Sequence, residues 1–126
     1  MNKIVVGLGF GDEGKGLTTS FLSESSSPNS IVVRHNGGQQ AGHTVIYKDR
    51  QHTFSQLGAG TFQNLPTYFT KDCTFYPSSF LREYKILSDL APKVILNPLT
   101  MITLPIDIDI NRGLEDNKGD KRHGSV

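Results

Sequence analysis

Two short clusters in this sequence carry the residue types and spacing that do chemistry. The first is GFGDEGKG at residues 9–16, and the second is HNGGQQAGHT at residues 35–44. In the first, Gly9-x4-Gly14-Lys15 fits a phosphate-binding loop as far as the lysine. Glycines let backbone N–H groups close on phosphate oxygens. The helix that follows adds a partial positive charge, and Lys15 adds a full one. A hydroxyl ordinarily follows that lysine to hold Mg²⁺, but here the residue is Gly16. Asp12 is then a candidate for the metal-ligand place, because a hard cation takes carboxylate and phosphate oxygens together. The same residues allow a plainer reading, in which Asp12 and Glu13 are ordinary acids at a helix start.

The second cluster ends in His43, directly after a glycine-rich turn. An imidazole there can donate a hydrogen bond to a phosphoryl oxygen as negative charge develops. A purely structural histidine is the alternative. The remaining reactive residue types form no such pattern. Cys73 is the single cysteine, so no intramolecular disulfide exists, and without a flanking basic cluster it reads as a packing residue. His35, His52 and His123 have no metal-ligand spacing. Asp107 and Asp109 in PIDIDI resemble a metal pair without a third ligand. Arg82 and Glu83 are expected on the solvent side of a helix.

The elements that must position these groups follow from pattern. Residues 3–8 form a β-branched run that reads as a buried strand entering the first loop. A helix starts within residues 14–22, and SESSSPNS breaks it. Residues 31–34 read as a strand. HTVIY, KDRQ and HTFSQL read as a hairpin. Residues 77–90 have helical spacing, with Phe80, Leu81, Tyr84, Leu87 and Leu90 on one face and Pro77 in the first turn. Residues 93–96 and MITLP suggest further strands, and residues 107–116 a polar helix. This order points to an α/β fold: a P-loop-like nucleotide-binding sheet with flanking helices and a β-hairpin. The chain has 126 residues, enough for one small core. A net charge of +1 argues against nucleic acid or an acidic membrane as partner. The apolar run at the start is too short for a signal peptide or membrane helix, so a cytoplasmic setting is expected. The last residues, EDNKGDKRHGSV, read either as a tail or as a functional loop interrupted.

GDEGKG after a strand, followed by GG-x-x-AGHT in the next loop, resembles the signature pair of the adenylosuccinate synthetase family. LGAGTF and YPSSFLREYKIL stand where that family has a glycine turn and a proline-started helix. The resemblance implies that residues 1–126 are the N-terminal part of a single purine-nucleotide ligase domain, and that the fold is incomplete. It implies GTP-driven joining of IMP and L-aspartate through a 6-phosphoryl intermediate, with Mg²⁺, by a homodimer. Asp12 would take the N1 proton of the purine and bind Mg²⁺, with the Gly42 carbonyl as a second metal ligand. His43 would stabilise the phosphoryl group and the oxygen at carbon 6. Gly11, Asp12, Glu13, Gly14, Lys15, Gly16, Leu17, Gly42, His43 and Thr44 would contact GTP. Asp12, Glu13, Gly14, Lys15, Gln40, Ala41, Gly42 and His43 would face IMP.

The sequence departs from the family pattern in places. Phe10 replaces a usual tryptophan, Leu17 a common lysine, and Gln39 and Gln40 a histidine and an asparagine. Gln40 leaves room for a relative acting on a 2-aminopurine nucleotide, while the retained Asp12 favours the standard reaction. A third reading is a nucleotide-binding fragment without turnover.

Overall fold

A computed structural model of the chain describes residues 1–9, 11, 13–35, 37–38 and 41–119. Helix α1 (Lys15–Glu24) leaves the first glycine loop and leads to strand β1 (Val32–Arg34). Strands β2 (His43–Tyr47) and β3 (Arg50–Phe54) form a hairpin. Strands β4 (Thr67–Phe69) and β5 (Thr74–Phe75) precede α2 (Pro77–Ile86). Then follow β6 (Val94–Leu96), β7 (Met101–Ile102) and α3 (Pro105–Asp116). The main sheet has the order β1-β4-β6 and is parallel throughout, and β5 pairs with β7, also in parallel. Parallel strands joined through helices make this an α/β architecture.

One core fills the space between the hairpin and α2. Val45, Phe54, Leu57, Ala59, Phe62 and Leu87 are buried there, with Phe80, Leu90 and Val94 packed against them. A second cluster, Phe69, Cys73 and Phe75, lies under the β4–β5 connection. Cys73 is inside it, and burial pushes its thiol pKa up, which suits the packing role.

The Gly58–Gly60 turn holds the two halves close. A Cβ at Gly60 would stand 2.6 Å from Val32 Cγ2 and 2.8 Å from Ser23 Oγ, so only glycine lets this turn press on β1 and α1. The Gly58 N–H donates to Thr67 Oγ1 at 2.8 Å, which ties the turn to β4.

Several expectations need correction. Among the described residues no strand pairs with residues 3–8, and Ile4 and Val6 are exposed. Strand β3 begins at Arg50, two residues before the expected start, since only Lys48 and Asp49 make the turn and Lys48 takes a positive φ of 53°. Helix α2 stops at Ile86 and a short 3₁₀ turn, Ser88–Leu90, replaces its last turn. Leu81 faces solvent, while Glu83, expected outside, is buried. Asp107 does not gather other ligands: its Oδ2 accepts from the Leu104 N–H at 2.7 Å and caps α3.

Candidate functional site

The first loop is shaped by glycines that must be glycines. Gly11 and Gly14 have φ of 114° and 74°, a region L side chains avoid. Gly14 immediately precedes α1, and its carbonyl accepts from the Thr18 N–H at 2.9 Å, the first bond of the helix. Among the described residues no side chain caps this helix start, and no acid lies in its first turn. The leading N–H groups of α1 therefore keep the partial positive charge that suits an anion.

Glu13 is not a helix cap. Its Oε1 accepts from the Gly9 N–H at 2.7 Å and its Oε2 pairs with Lys15 Nζ. Lys15 and then the Gly9 N–H lower its pKa from 4.5 to about 2. The carboxylate stands where a loop N–H and the lysine converge, so these donors suit an anionic group. A Cβ at Gly7 would fall 2.5 Å from Lys15 Nζ, so the lysine folds back over the chain before the loop.

The second loop reaches the first through His43. A Cβ at Gly16 would stand 2.5 Å from His43 Cβ, so the helix start and the start of β2 touch with nothing between them. His43 is half-buried, and desolvation lowers its pKa, helped by the charges of Arg34 and Lys15. The ring thus stays neutral further below its ordinary range and keeps one N–H to donate. Strand β2 continues into Thr44, whose Oγ1 lies 2.9 Å from Thr53 Oγ1 across the hairpin. On the loop itself, Gly37 takes a φ of 99° and its carbonyl accepts from the Thr74 N–H at 3.4 Å, anchoring the turn to β5.

Lys15, Gly16 and His43 are thus brought together, and Gly11, Gly14, Leu17, Gly42 and Thr44 flank them with exposed surface. Ala41 is half-buried beside Gly42, and its N–H donates to the Gly38 carbonyl at 3.4 Å. Asp12 and Gln40, and the departures Phe10 and Gln39, lie outside the described residues. The donors that the family resemblance implies for Mg²⁺, a carboxylate from Asp12 and the Gly42 carbonyl, are of the hard-oxygen type this cation takes.

Arg34 and Glu83 are absent from the motif-based list. Arg34 is largely desolvated and donates from Nη1 to the Ser55 carbonyl. Its guanidinium lies 5.1 Å from the Phe69 ring centroid. Its place in IVVR, next to the second loop, was the only available signal.

The fold and the paired loops define an α/β protein of the phosphate-binding-loop kind. The family model described as adenylosuccinate synthetase matches residues 4–126. The chain belongs to the adenylosuccinate synthetase family. It is 38% identical over 112 residues to the adenylosuccinate synthetase of Thermoplasma volcanium, covering 84% of this chain and 25% of that protein. It is 33% identical over 124 residues to adenylosuccinate synthetase 1 of Photorhabdus laumondii, covering 97% and 29%. Among solved structures, fully ligated adenylosuccinate synthetase from Plasmodium falciparum superposes with a TM-score of 0.73 at 24% identity, over 88% of this chain and 26% of that one, a likeness of fold. The chain spans about a quarter of the length of these relatives. Among the described residues no helix is long and apolar enough to cross a membrane.

Proposed function

We propose that this chain supplies the phosphate-loop part of a cytoplasmic, homodimeric, GTP-dependent ligase that joins IMP and L-aspartate. The observation that carries the reading is the seating of His43 directly on Gly16, beside Lys15, in a chain of this family. Lys15 and the free N–H groups of α1 bind phosphate of GTP. His43, neutral at physiological pH, donates to the oxygen on which charge develops at purine carbon 6. Asp12 removes the N1 proton of the purine, which pushes electrons onto the carbonyl oxygen for attack on the γ-phosphate. General-base help of this kind is worth about 10²–10⁴-fold. Asp12 and the Gly42 carbonyl would hold Mg²⁺, which supplies charge neutralisation on the phosphates when bound.

The test is phosphate release from GTP by a protein of the relatives' full length that contains this chain. Release should require both IMP and aspartate together. Release without IMP, or equal release with dGMP in its place, would overturn the assignment. Asp12→Ala should abolish release while the protein remains folded by circular dichroism.

A further inference from the structure

Glu83 is the most heavily bonded carboxylate among the described residues, and its side chain is only 5% exposed. It reaches from α2 to the end of β3. Its Oε1 accepts from His52 Nε2 and from the Ser55 N–H, both at 3.1 Å. Its Oε2 accepts from the Gln56 N–H at 2.7 Å, the Leu57 N–H at 3.1 Å and Ser55 Oγ at 3.3 Å. Three successive backbone N–H groups that leave the hairpin therefore end on one carboxylate. Such charge-assisted bonds are roughly twice as strong as neutral ones.

The clamped turn connects to the candidate site through the hairpin. Phe54, just before it, is the register partner of His43 across the hairpin. The Ser55 carbonyl, inside it, accepts from Arg34 Nη1. One buried carboxylate thus fixes the chain that leaves the strand opposite His43 and the carbonyl that holds Arg34. Ser79 and Arg82 border the same shallow groove, and Ser79 Oγ lies 3.4 Å from Ser55 Oγ.

We propose that Glu83 is a positioning residue for His43, acting through the turn at residues 55–57 and the Phe54 strand position paired with His43. This rests on the reading of His43 as the group that faces the transferred phosphoryl. The test is NMR of the 126-residue chain at about pH 8, above the ordinary histidine range. In Glu83→Gln, amide exchange at Ser55, Gln56 and Leu57 should accelerate at least about tenfold more than at Phe69, and the His43 ring resonances should move. Leu65→Ala, at a buried residue outside the cluster that holds Phe54 and Leu57, should lower the melting temperature without moving the His43 ring. Identical His43 resonances in Glu83→Gln and wild type would overturn the proposal, as would exchange that accelerates equally at Phe69. Should Glu83→Gln not fold, Glu83→Asp, which keeps the charge on a shorter arm, decides. It should move the His43 ring and loosen the Gln56 and Leu57 amides, and an unmoved ring overturns the proposal. Phosphate release independent of IMP would remove the proposed reaction and leave these NMR results standing.

Discussion

At the scale of single residues, Glu13 answers why an anion-binding loop carries an acid beyond Asp12. Its carboxylate takes the donors that a phosphate would take, the Gly9 N–H and Lys15. Because its pKa is depressed to about 2, this contact is complete above the ordinary value of 4.5 and is lost as pH falls from there towards 2. If the loop binds phosphate as proposed, the incoming anion competes at neutral pH with a charged carboxylate. Glu13→Gln should tighten Mg²⁺-GTP binding to the 126-residue chain several-fold by calorimetry, and equal or weaker binding would show that Glu13 is not a competitor. Gly16 makes a sharper demand. An alanine there would meet His43 Cβ at 2.5 Å, and neither backbone has a flexible end to yield. Gly16→Ala should cost about 1–3 kcal/mol of stability in urea, the usual range for overpacking, and should weaken nucleotide binding more than Leu17→Ala does. Leu17 is 55% exposed, so its loss changes little packing.

At the scale of elements, the hairpin, α2 and α3 were legible because each has local signals. The two runs HTVIY and HTFSQL flank a short polar connection, α2 begins with proline, and α3 shows a polar stretch at 107–116, although its start at Pro105 reads from the sequence as the end of a strand. Strand β4, the centre of the sheet, was not legible. Its three residues, Thr67, Tyr68 and Phe69, are of strand-forming types, but directly after Pro66 they are too few to show alternation, and the pairing with β1 and β6 reveals the strand. The site was half legible. The glycine loops announce themselves by spacing, but Glu83 reads as a surface acid until the N–H groups of residues 55–57 are seen to need it. The same blindness hides Thr67, whose hydroxyl is the acceptor for the buried Gly58 N–H. Thr67→Val keeps the shape and strands that donor. It should destabilise the chain by about 1–3 kcal/mol, read by urea unfolding, and a change below about 0.5 kcal/mol would mean the turn finds another acceptor. The hairpin is also tied to the turn after α2 by Arg50, which donates to Asp89 at 2.6 and 3.2 Å. The Arg50 bond lowers the Asp89 pKa, so the tie is complete above the ordinary aspartate range and is lost as pH falls below it. An NMR titration should place Asp89 below its usual value, and Arg50→Met should return it there.

At the scale of the whole molecule, the surface is unusually apolar in defined places. Ile4, Val6 and Leu8 are 87%, 68% and 96% exposed, and Ile106, Ile110 and Leu114 form an exposed stripe at helical spacing on α3. Scattered exposed apolar residues are ordinary, whereas a run and a stripe of this size are surfaces that other protein commonly covers. The run at residues 3–8 is β-branched, leads straight into the phosphate loop and has no strand partner among the described residues. Its residues therefore contribute little to the stability of the 126-residue chain by themselves. Val6→Asp should change the urea midpoint of this chain by no more than about 0.5 kcal/mol equivalent. In a protein of the relatives' full length the same substitution should be strongly destabilising, by the few kcal/mol expected for placing an unpaired charge where apolar surface is covered. Equal, small effects in both proteins would mean that the run stays uncovered and that the phosphate loop is held by α1 and His43 alone. A large effect already in the 126-residue chain would mean that residues 3–8 pack in solution, and the loop would then be anchored from both sides.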